Sequence, residues 1–126
     1  MPQFSKRSRD RLNTTDARLV KLFNEVVKHF DCTILEGLRT EERQKQLVKD
    51  GKSKTMKSKH LIGHAVDVAP YPIDWSDRER FTYFAGFVMG IASQQGVNLR
   101  WGGDWDQDKD LNDNSFDDLP HFELKD

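Results

Sequence analysis

The sequence lacks the features of membrane, secreted and disulfide-stabilised proteins. It contains one cysteine, Cys32, which has no internal partner, so a buried thiol in a reducing cytoplasm is expected. No window approaches the roughly eighteen consecutive apolar residues of a membrane span. The N-terminal residues contain no apolar stretch typical of a signal peptide, so we expect neither secretion by that route nor membrane insertion.

An excess of charge of one sign is also missing. Twenty Lys and Arg stand against 21 Asp and Glu, so no overall field favours nucleic acid or an anionic membrane. The mean hydropathy of -0.79 and 10% aromatic residues are typical of a soluble, folded protein. The 126 residues contain no internal repeat and no linker, which predicts a single domain over residues 1–126 without a separate wall-binding domain.

The first half of the chain reads as helix, strand, helix and loop. An amphipathic stripe predicts a helix over about residues 15–30, after basic N-terminal residues interpreted as a solvated leader. Residues 32–38 favour a strand, and Thr40 caps a second helix that ends at Gly51. The stripe consists of Leu19, Leu22, Phe23, Val26, Val27 and Phe30, and the leader carries Lys6, Arg7, Arg9 and Arg11.

The second half adds three short strands and one long helix. Residues 65–69 predict a strand, and a capping box of Ser76 with Glu79 begins a third helix that ends at Gly96. Further strands are predicted at 97–101 and 121–124, separated by an acidic loop. This order predicts an α+β fold, with a small, mostly antiparallel sheet flanked by about three helices.

An acidic residue interrupts the apolar strand at residues 65–69. Asp67 lies between Val66 and Val68, and a buried carboxylate needs a positive partner. His60 precedes it by seven residues, and a turn at Gly63 would let the two side chains converge. With His121 as a third ligand, two imidazoles and one carboxylate form the donor set of an open, catalytic zinc site. Taken alone, this spacing is more often a turn-capping Asp or a core His.

Three motifs together resemble one family. The segment SKHLIGHAVDVAP resembles the S-x-H-x-x-G-x-A-x-D motif of the zinc peptidases that include D-alanyl-D-alanine carboxypeptidases and dipeptidases. WGGDW followed by DLPHFEL is similar to the closing motif of their phage L-alanyl-D-glutamate endopeptidase branch, and ILEGLRTEERQ resembles that branch's strand-to-helix segment. The similarity extends over about residues 32–124, with the motifs in the family order.

The resemblance implies a fold and a set of site residues. The fold is that of the D-alanyl-D-alanine peptidases, lysostaphin and the hedgehog signalling domain. His60, Asp67 and His121 would be the zinc ligands, and Asp118, three residues before His121, would be the general base. Arg39 would face the substrate carbonyl, and Ser58 would lie near the substrate.

The base departs from part of the family pattern. Carboxypeptidase and dipeptidase members usually carry Glu at this place, whereas Asp suits the endopeptidase branch. Asp117 is an adjacent competitor, but only Asp118 has the offset of the motif.

Several further residues have two interpretations. Trp101 and Trp105 are candidate substrate-binding residues, although core packing is the alternative for at least one of them. Glu123 shares a strand face with His121 and is a candidate to orient it or the base, or else an exposed acid. His64 is expected not to be a ligand, and His29 is assigned no function. The alternative for Arg39 is an ion pair with Glu41, Glu42 or an acid of the 104–118 loop.

Alternate carboxylates in the acidic loop resemble a calcium-binding loop. Asp117 follows Asp106 by eleven residues, the spacing of the last EF-hand ligand, but Leu111 replaces the expected glycine and Asp replaces the bidentate Glu. A solvated acidic loop is the alternative. The candidate Ca²⁺ ligands are Asp104, Asp106, Asp108, Asp110 and Asp117.

The family resemblance leads to a functional prediction. A monomeric zinc peptidase is expected to hydrolyse bacterial peptidoglycan stem peptides, at the L-alanyl-D-glutamate bond, as a phage endolysin. It would wait in the host cytoplasm until a separate pore releases it to the wall. The alternatives are a D-alanyl-D-alanine dipeptidase or carboxypeptidase on the same scaffold, or a non-catalytic zinc module that binds wall peptides.

Overall fold

The computed structural model describes residues 2–112 and 117–125. Four α-helices and four β-strands alternate irregularly along this part of the chain, with one 3-10 turn before the second strand. The helices are α1 Lys6–Leu12, α2 Ala17–His29, α3 Glu41–Lys49 and α4 Arg78–Gln94. The strands are β1 Cys32–Glu36, β2 Ala65–Pro70, β3 Leu99–Trp101 and β4 His121–Leu124, and the 3-10 turn is Lys59–Ile62.

The strands form one antiparallel sheet in the order β1-β2-β4-β3. The predicted α+β class and antiparallel sheet are therefore confirmed. Asp67 on β2 lies directly opposite His121 on β4. A bulge between Ile34 and Glu36 shifts the register of β1, so that Glu36 also lies beside Asp67.

The alternation of side chains divides the sheet into two faces. Val66 and Val68 of β2, with Phe122 and Leu124 of β4, belong to the hydrophobic core. Phe122 contacts Phe23 of α2, with ring centroids 5.6 Å apart. Asp67, His121 and Glu123 point to the opposite face because they occupy the intervening positions. An acid between two valines is therefore compatible with a buried strand.

The N-terminal segment differs from the prediction of a solvated leader. Residues 6–12 form α1, which packs against β1, and Phe4, Ser8 and Leu12 are buried. The backbone N–H of Ile34 donates to Ser8 Oγ at 3.1 Å, and the Arg11 guanidinium donates to the Ile34 carbonyl at 3.1 Å. The segment is therefore a packed helix and not a leader, while Lys6, Arg7 and Arg9 are exposed as predicted. The helix was not predicted because its buried face is only partly apolar, and it brings the helices of the described residues to four.

The start of the long helix also differs from the prediction. Asp77, not Ser76, is the N-cap of α4, and its carboxylate accepts from the Arg80 N–H at 3.1 Å. The Ser76 hydroxyl instead donates to Asp74 Oδ1 at 2.7 Å. The predicted C-terminal end is confirmed, since Gly96 has a φ of 73° just after the helix. Within the described residues, no helix combines the length and apolar character that a membrane crossing requires.

Candidate metal centre and active site

The three predicted ligands come from three different backbone elements. His60 lies in the 3-10 turn, and its backbone N–H donates to the hydroxyl of Ser58, the N-cap of that turn, at 3.2 Å. Gly63 ends this turn with a φ of 73°, a left-handed conformation that favours glycine. The chain then enters β2, which carries Asp67 opposite His121 of β4. The turn that the sequence required between His60 and Asp67 is thus present.

The three side chains converge on one point. His60 Nε2 and His121 Nδ1 each lie 3.2 Å from Asp67 Oδ1. The imidazole rings are 5.2 Å apart between centroids, and one ligand atom from each residue lies within 4.8 Å of the other two. Both histidines are buried, and Asp67 is mostly so. This triad could hold a metal ion.

The second nitrogen of each imidazole is held by a neighbour. His60 Nδ1 donates to the Gly37 carbonyl at 2.8 Å, which directs Nε2 to the centre. His121 Nε2 donates to Glu123 Oε1 at 2.8 Å, which directs Nδ1 there. Metal-binding histidines in proteins usually have such a hydrogen bond, because it fixes the tautomer and the ring orientation. The donor set and its surroundings therefore fit a catalytic zinc site.

Electrostatics at the triad favour positive charge. Burial opposes ionisation of Asp67, but hydrogen bonds from His121 and His60 outweigh it and hold the pKa of Asp67 well below its usual range. Burial likewise disfavours charge on His121, yet Asp67 and Glu123 raise the pKa of His121 to about 9. Against the same burial, His121 and Arg100 lower the pKa of Glu123 to about 2. Two ionised carboxylates thus flank the position, which is the condition for binding a cation.

Asp118 lies in the same cavity as the triad. Its backbone N–H donates to the Gly102 carbonyl at 2.8 Å, and its carbonyl accepts from the His121 N–H at 3.1 Å. A Cβ at position 102 would lie 2.0 Å from the Asp118 carbonyl oxygen, so this crossing of two segments requires glycine. Burial and the charge of Asp67 raise the pKa of Asp118. Its carboxyl group is therefore a better proton acceptor than an ordinary aspartate.

The neighbouring acid is differently placed. Asp117 Oδ2 accepts from the Arg78 guanidinium at 2.5 Å, at the start of α4. This ion pair engages Asp117 with Arg78, whereas Asp118 faces the cavity. Of these two adjacent acids, it is therefore Asp118 that lines the cavity of the triad.

Arg39 approaches the triad from the end of β1. Its Nη2 atom lies 3.8 Å from Asp67 Oδ2. Two hydrogen bonds join its guanidinium to the Glu36 carboxylate, at 2.7 and 2.8 Å, and a third joins Nη1 to Gln44 Oε1 at 2.8 Å. Among the described residues, the ion-pair partners of Arg39 are therefore Glu36 and, at the longer distance, Asp67, and not Glu41 or Glu42. Burial opposes the charge, but Glu36 outweighs it, so the pKa of Arg39 is raised.

The cavity around these residues has a volume of about 530 Å³. Its walls include Ser58 and Trp105, two of the three residues predicted to contact the substrate, and several lysines of the 52–59 segment. The Trp105 ring lies 5.3 Å from the His121 ring. Trp101 is instead 6% exposed, belongs to the core and donates its indole N–H to the Leu119 carbonyl at 2.7 Å. Trp101 thus corresponds to the core-packing alternative.

Comparison with known proteins assigns the family. A sequence model of the family described as phage L-alanyl-D-glutamate peptidase matches residues 1–125. The chain belongs to this family. An L-alanyl-D-glutamate peptidase of Escherichia phage T5 is 34% identical over 119 residues, covering 88% of this chain and 87% of that protein.

Two further relatives agree with this assignment. An L-alanyl-D-glutamate peptidase of Listeria phage A118 is 33% identical over 101 residues, which cover 75% of this chain but 30% of that protein. The crystal structure of the L-Ala D-Glu endopeptidase ChiX from Serratia marcescens superposes with a TM-score of 0.82 at 30% identity. That match covers 98% of this chain and 90% of the ChiX chain. This family member therefore resembles the phage peptidases in sequence and the endopeptidase ChiX in fold.

The acidic loop brings together part of the predicted calcium set. Carboxylate oxygens of Asp104, Asp106 and Asp108 lie within 4.8 Å of one another. The Asp110 carboxylate accepts from the Asn112 N–H at 2.9 Å, and Asp117 is engaged by Arg78 as described above. Residues 113–116, within the predicted loop, lie outside the described residues. Calcium binding stays a prediction, which calorimetric titration of the zinc-loaded protein with Ca²⁺ would test; no heat at millimolar calcium would refute it.

Sequence reasoning missed three residues that surround the triad. They are Glu36 and Gln44, which hold Arg39, and Arg100, which donates to Glu123 Oε2 at 2.8 Å. The sequence contained one indication that Gln44 faces inward. Gln44 lies three residues before Leu47, and residues three apart share a face of a helix. Glu36 lies opposite Asp67 after the register shift in β1, and it pairs with Arg39 three residues further along the chain.

Proposed function

We propose that this chain is a zinc-dependent endopeptidase that hydrolyses the L-alanyl-D-glutamate bond of peptidoglycan stem peptides. The observation that carries the proposal is the arrangement of His60, Asp67 and His121 around one point, with Asp118 in the same cavity. The assigned family supplies the substrate class, because its described relatives are named for this bond.

The chain's own residues have separate parts in this reaction. His60, Asp67 and His121 would bind the zinc ion, with Gly37 and Glu123 holding the two imidazoles in orientation. Zinc held there supplies Lewis-acid activation of the scissile carbonyl and of the attacking water. The convergence of one ligand atom from each of these residues within 4.8 Å supports cation binding at this position.

Asp118 would be the general base. Its raised pKa suits a group that takes a proton from the attacking water and then donates it to the amine of the leaving D-glutamate. Gly102 allows its segment to approach closely enough for a short Asp side chain to reach the reacting atoms.

Arg39 would stabilise negative charge on the oxygen of the scissile carbonyl. Its guanidinium is fixed near Asp67 and remains charged despite burial, which are the properties of a preorganised donor. Ser58 and Trp105 would contact the substrate from the cavity wall.

The biological role that fits this activity is lysis of a bacterial host by a phage. In that role the protein is a monomer held in the host cytoplasm until a separate pore gives it access to the wall. Two alternatives remain to be distinguished from this role. A dipeptidase or carboxypeptidase would release D-alanine or D-alanyl-D-alanine, whereas a module that only binds wall peptides would release no product.

Mass spectrometry of digested sacculi tests the proposal. New C-terminal L-alanine together with new N-terminal D-glutamate is the expected result. Release of D-alanine or of D-alanyl-D-alanine would instead assign the rival peptidase activity, and an unchanged sacculus that retains bound protein would indicate a binding module. The Asp118→Asn variant is the matched control, because it should bind zinc while producing few new termini.

A further inference from the structure

A buried glutamine connects the active-site arginine to the cavity wall. Gln44 of α3 is fully buried, at 0% exposure, and is one of only two buried residues of that helix. A buried side-chain amide requires hydrogen-bond partners for both its oxygen and its nitrogen. For Gln44, all of these partners belong to segments that line the active-site cavity.

The partners determine how the amide is oriented. A guanidinium can only donate, so the Gln44 atom 2.8 Å from Arg39 Nη1 is the oxygen Oε1. A backbone carbonyl can only accept, so the atom 2.6 Å from the Thr55 oxygen is Nε2, which also donates to Ser53 Oγ at 2.9 Å. One side chain therefore joins the arginine to residues 53–55.

This contact completes the fixation of Arg39. Glu36 holds Nε and Nη2, but a single carboxylate leaves the guanidinium able to swing about the axis of that pair. The bond from Nη1 to Gln44 adds a third point on the other side of the fork. Three points define the plane of the guanidinium, and with it the direction of the remaining N–H groups.

We propose that Gln44 is a positioning residue, which holds the guanidinium of Arg39 in its productive orientation and anchors residues 53–55 of the cavity wall to it. The proposal rests on the function proposed for Arg39. Gln44 acts through Arg39 and does not touch the substrate, so its loss should lower kcat while zinc content stays at the wild-type level.

The first experiment compares two glutamines of the same helix. Gln44→Met keeps the approximate shape and removes the hydrogen bonds, and we expect kcat on a soluble stem peptide to fall about tenfold, the scale typical of residues that support an active-site group. Gln46→Met is the matched control, since Gln46 is exposed and its side-chain amide donates to the Asp50 carboxylate of the same helix end. That control should keep its kcat. A Gln44→Met protein with lowered thermal stability but unchanged kcat would overturn the proposal in favour of a structural role.

A double-mutant cycle separates action through Arg39 from an independent effect. In an Arg39→Ala background, Gln44→Met should change kcat by less than about twofold, because the group on which it acts is gone. Independent, multiplicative losses would contradict the proposal. The proposal would also be contradicted if Gln44→Met lowered kcat while Arg39→Ala left kcat unchanged.

A third variant and a spectroscopic measurement complete the test. Gln44→Glu retains the acceptor for Arg39 and loses the donors to residues 53–55, so kcat should remain nearer to wild type than in Gln44→Met. The side-chain N–H signals of Arg39 in nitrogen-15 NMR should be resolved in wild type, Gln46→Met and Gln44→Glu, and broadened in Gln44→Met. If Gln44→Met does not fold, loss of both kcat and the Arg39 signals in Gln44→Glu would overturn the proposal.

The NMR comparison also separates this inference from the proposed function. If the wild-type protein cleaves no stem peptide, the proposed function fails, and the Arg39 signals alone decide whether Gln44 positions the guanidinium. Signals that are the same in wild type and Gln44→Met would refute the positioning role, whatever the activity.

Discussion

The two faces of the sheet have the same strands but different tasks. On the face toward α2 and α4, Val66, Val68 and Phe122 exclude water and stabilise the fold. On the opposite face, one residue away in each strand, Asp67 and His121 converge with His60. Because alternate residues of a strand point to opposite faces, the residues that stabilise the fold lie on one face and the candidate metal ligands lie on the other. Substitutions on the apolar face should therefore change the free energy of unfolding, and substitutions on the polar face should change zinc binding and kcat.

The largest effects should follow loss of a ligand on the polar face. His60→Ala, Asp67→Ala and His121→Ala should each lose zinc and hydrolysis together, because a three-residue site has no replacement ligand. Metal analysis and peptide hydrolysis on the same sample measure both quantities. Any of these variants that keeps stoichiometric zinc and full turnover would show that its residue is not a ligand.

A smaller but still large loss should follow removal of the base. Asp118→Asn preserves shape and removes basicity, so we expect zinc and fold to be retained and kcat to fall by roughly two to four orders of magnitude. If Asp118 only shaped the turn before β4, Asn would serve nearly as well. Turnover close to wild type would then return the role of base to Asp117 or Glu123.

The pH dependence should report the same group. A base must be deprotonated to act, so kcat/KM should be full above the pKa of Asp118 and should fall as the pH drops through it. Because burial and the charge of Asp67 raise that pKa, the acidic limb should lie above the usual range of an aspartate. The pH–rate profiles of the wild type and of Asp118→Asn should be compared. The same acidic limb in both would contradict the assignment of Asp118 as the base.

Substitution of Arg39 should cause the next largest fall in kcat. Arg39→Lys retains a positive charge but loses the planar fork that Glu36 and Gln44 hold, so kcat should fall by roughly two orders of magnitude with zinc retained. Steady-state kinetics on a soluble stem peptide provide the measurement. Equal kcat values for the variant and the wild type would make Arg39 a purely structural residue.

The smallest effect on catalysis should come from the apolar face. Phe23→Leu removes part of the contact with Phe122 and should lower the free energy of unfolding by about 1–2 kcal/mol. Its zinc content and kcat should equal those of wild type, because Phe23 is separated from the triad by the sheet. Denaturant unfolding and kinetics at the same temperature measure both; a large kcat loss would mean that the two faces are coupled.

The grouping of His60, Asp67 and His121 was predicted from a short spacing, for the first two, together with the family resemblance, for His121. The spacing of His60 and Asp67, with Gly63 between them, requires one turn and one strand, and Asp67 meets His121 through a single strand pair. The stripe of α2 was similarly clear, since its apolar residues recur on one face.

Features that depend on tertiary packing were not predictable. The helix α1 buries Ser8 beside Leu12 among cationic residues, so it carries no apolar stripe in the sequence. The position of Glu36 opposite Asp67 depends on the bulge in β1, and the hydrogen bond of Arg39 to Gln44 depends on how α3 packs. Trp101 and Trp105 look equivalent in the sequence, but only the latter faces the cavity.

Removal and return of zinc test the central claim most directly. Protein treated with a strong chelator should remain folded by circular dichroism, since the apolar face is intact, and should hydrolyse no L-alanyl-D-glutamate bonds. Titration with Zn²⁺ should restore hydrolysis linearly, with a break at about one equivalent, as a single triad site requires. Hydrolysis that persists after chelation, or that is not restored by zinc, would contradict the account.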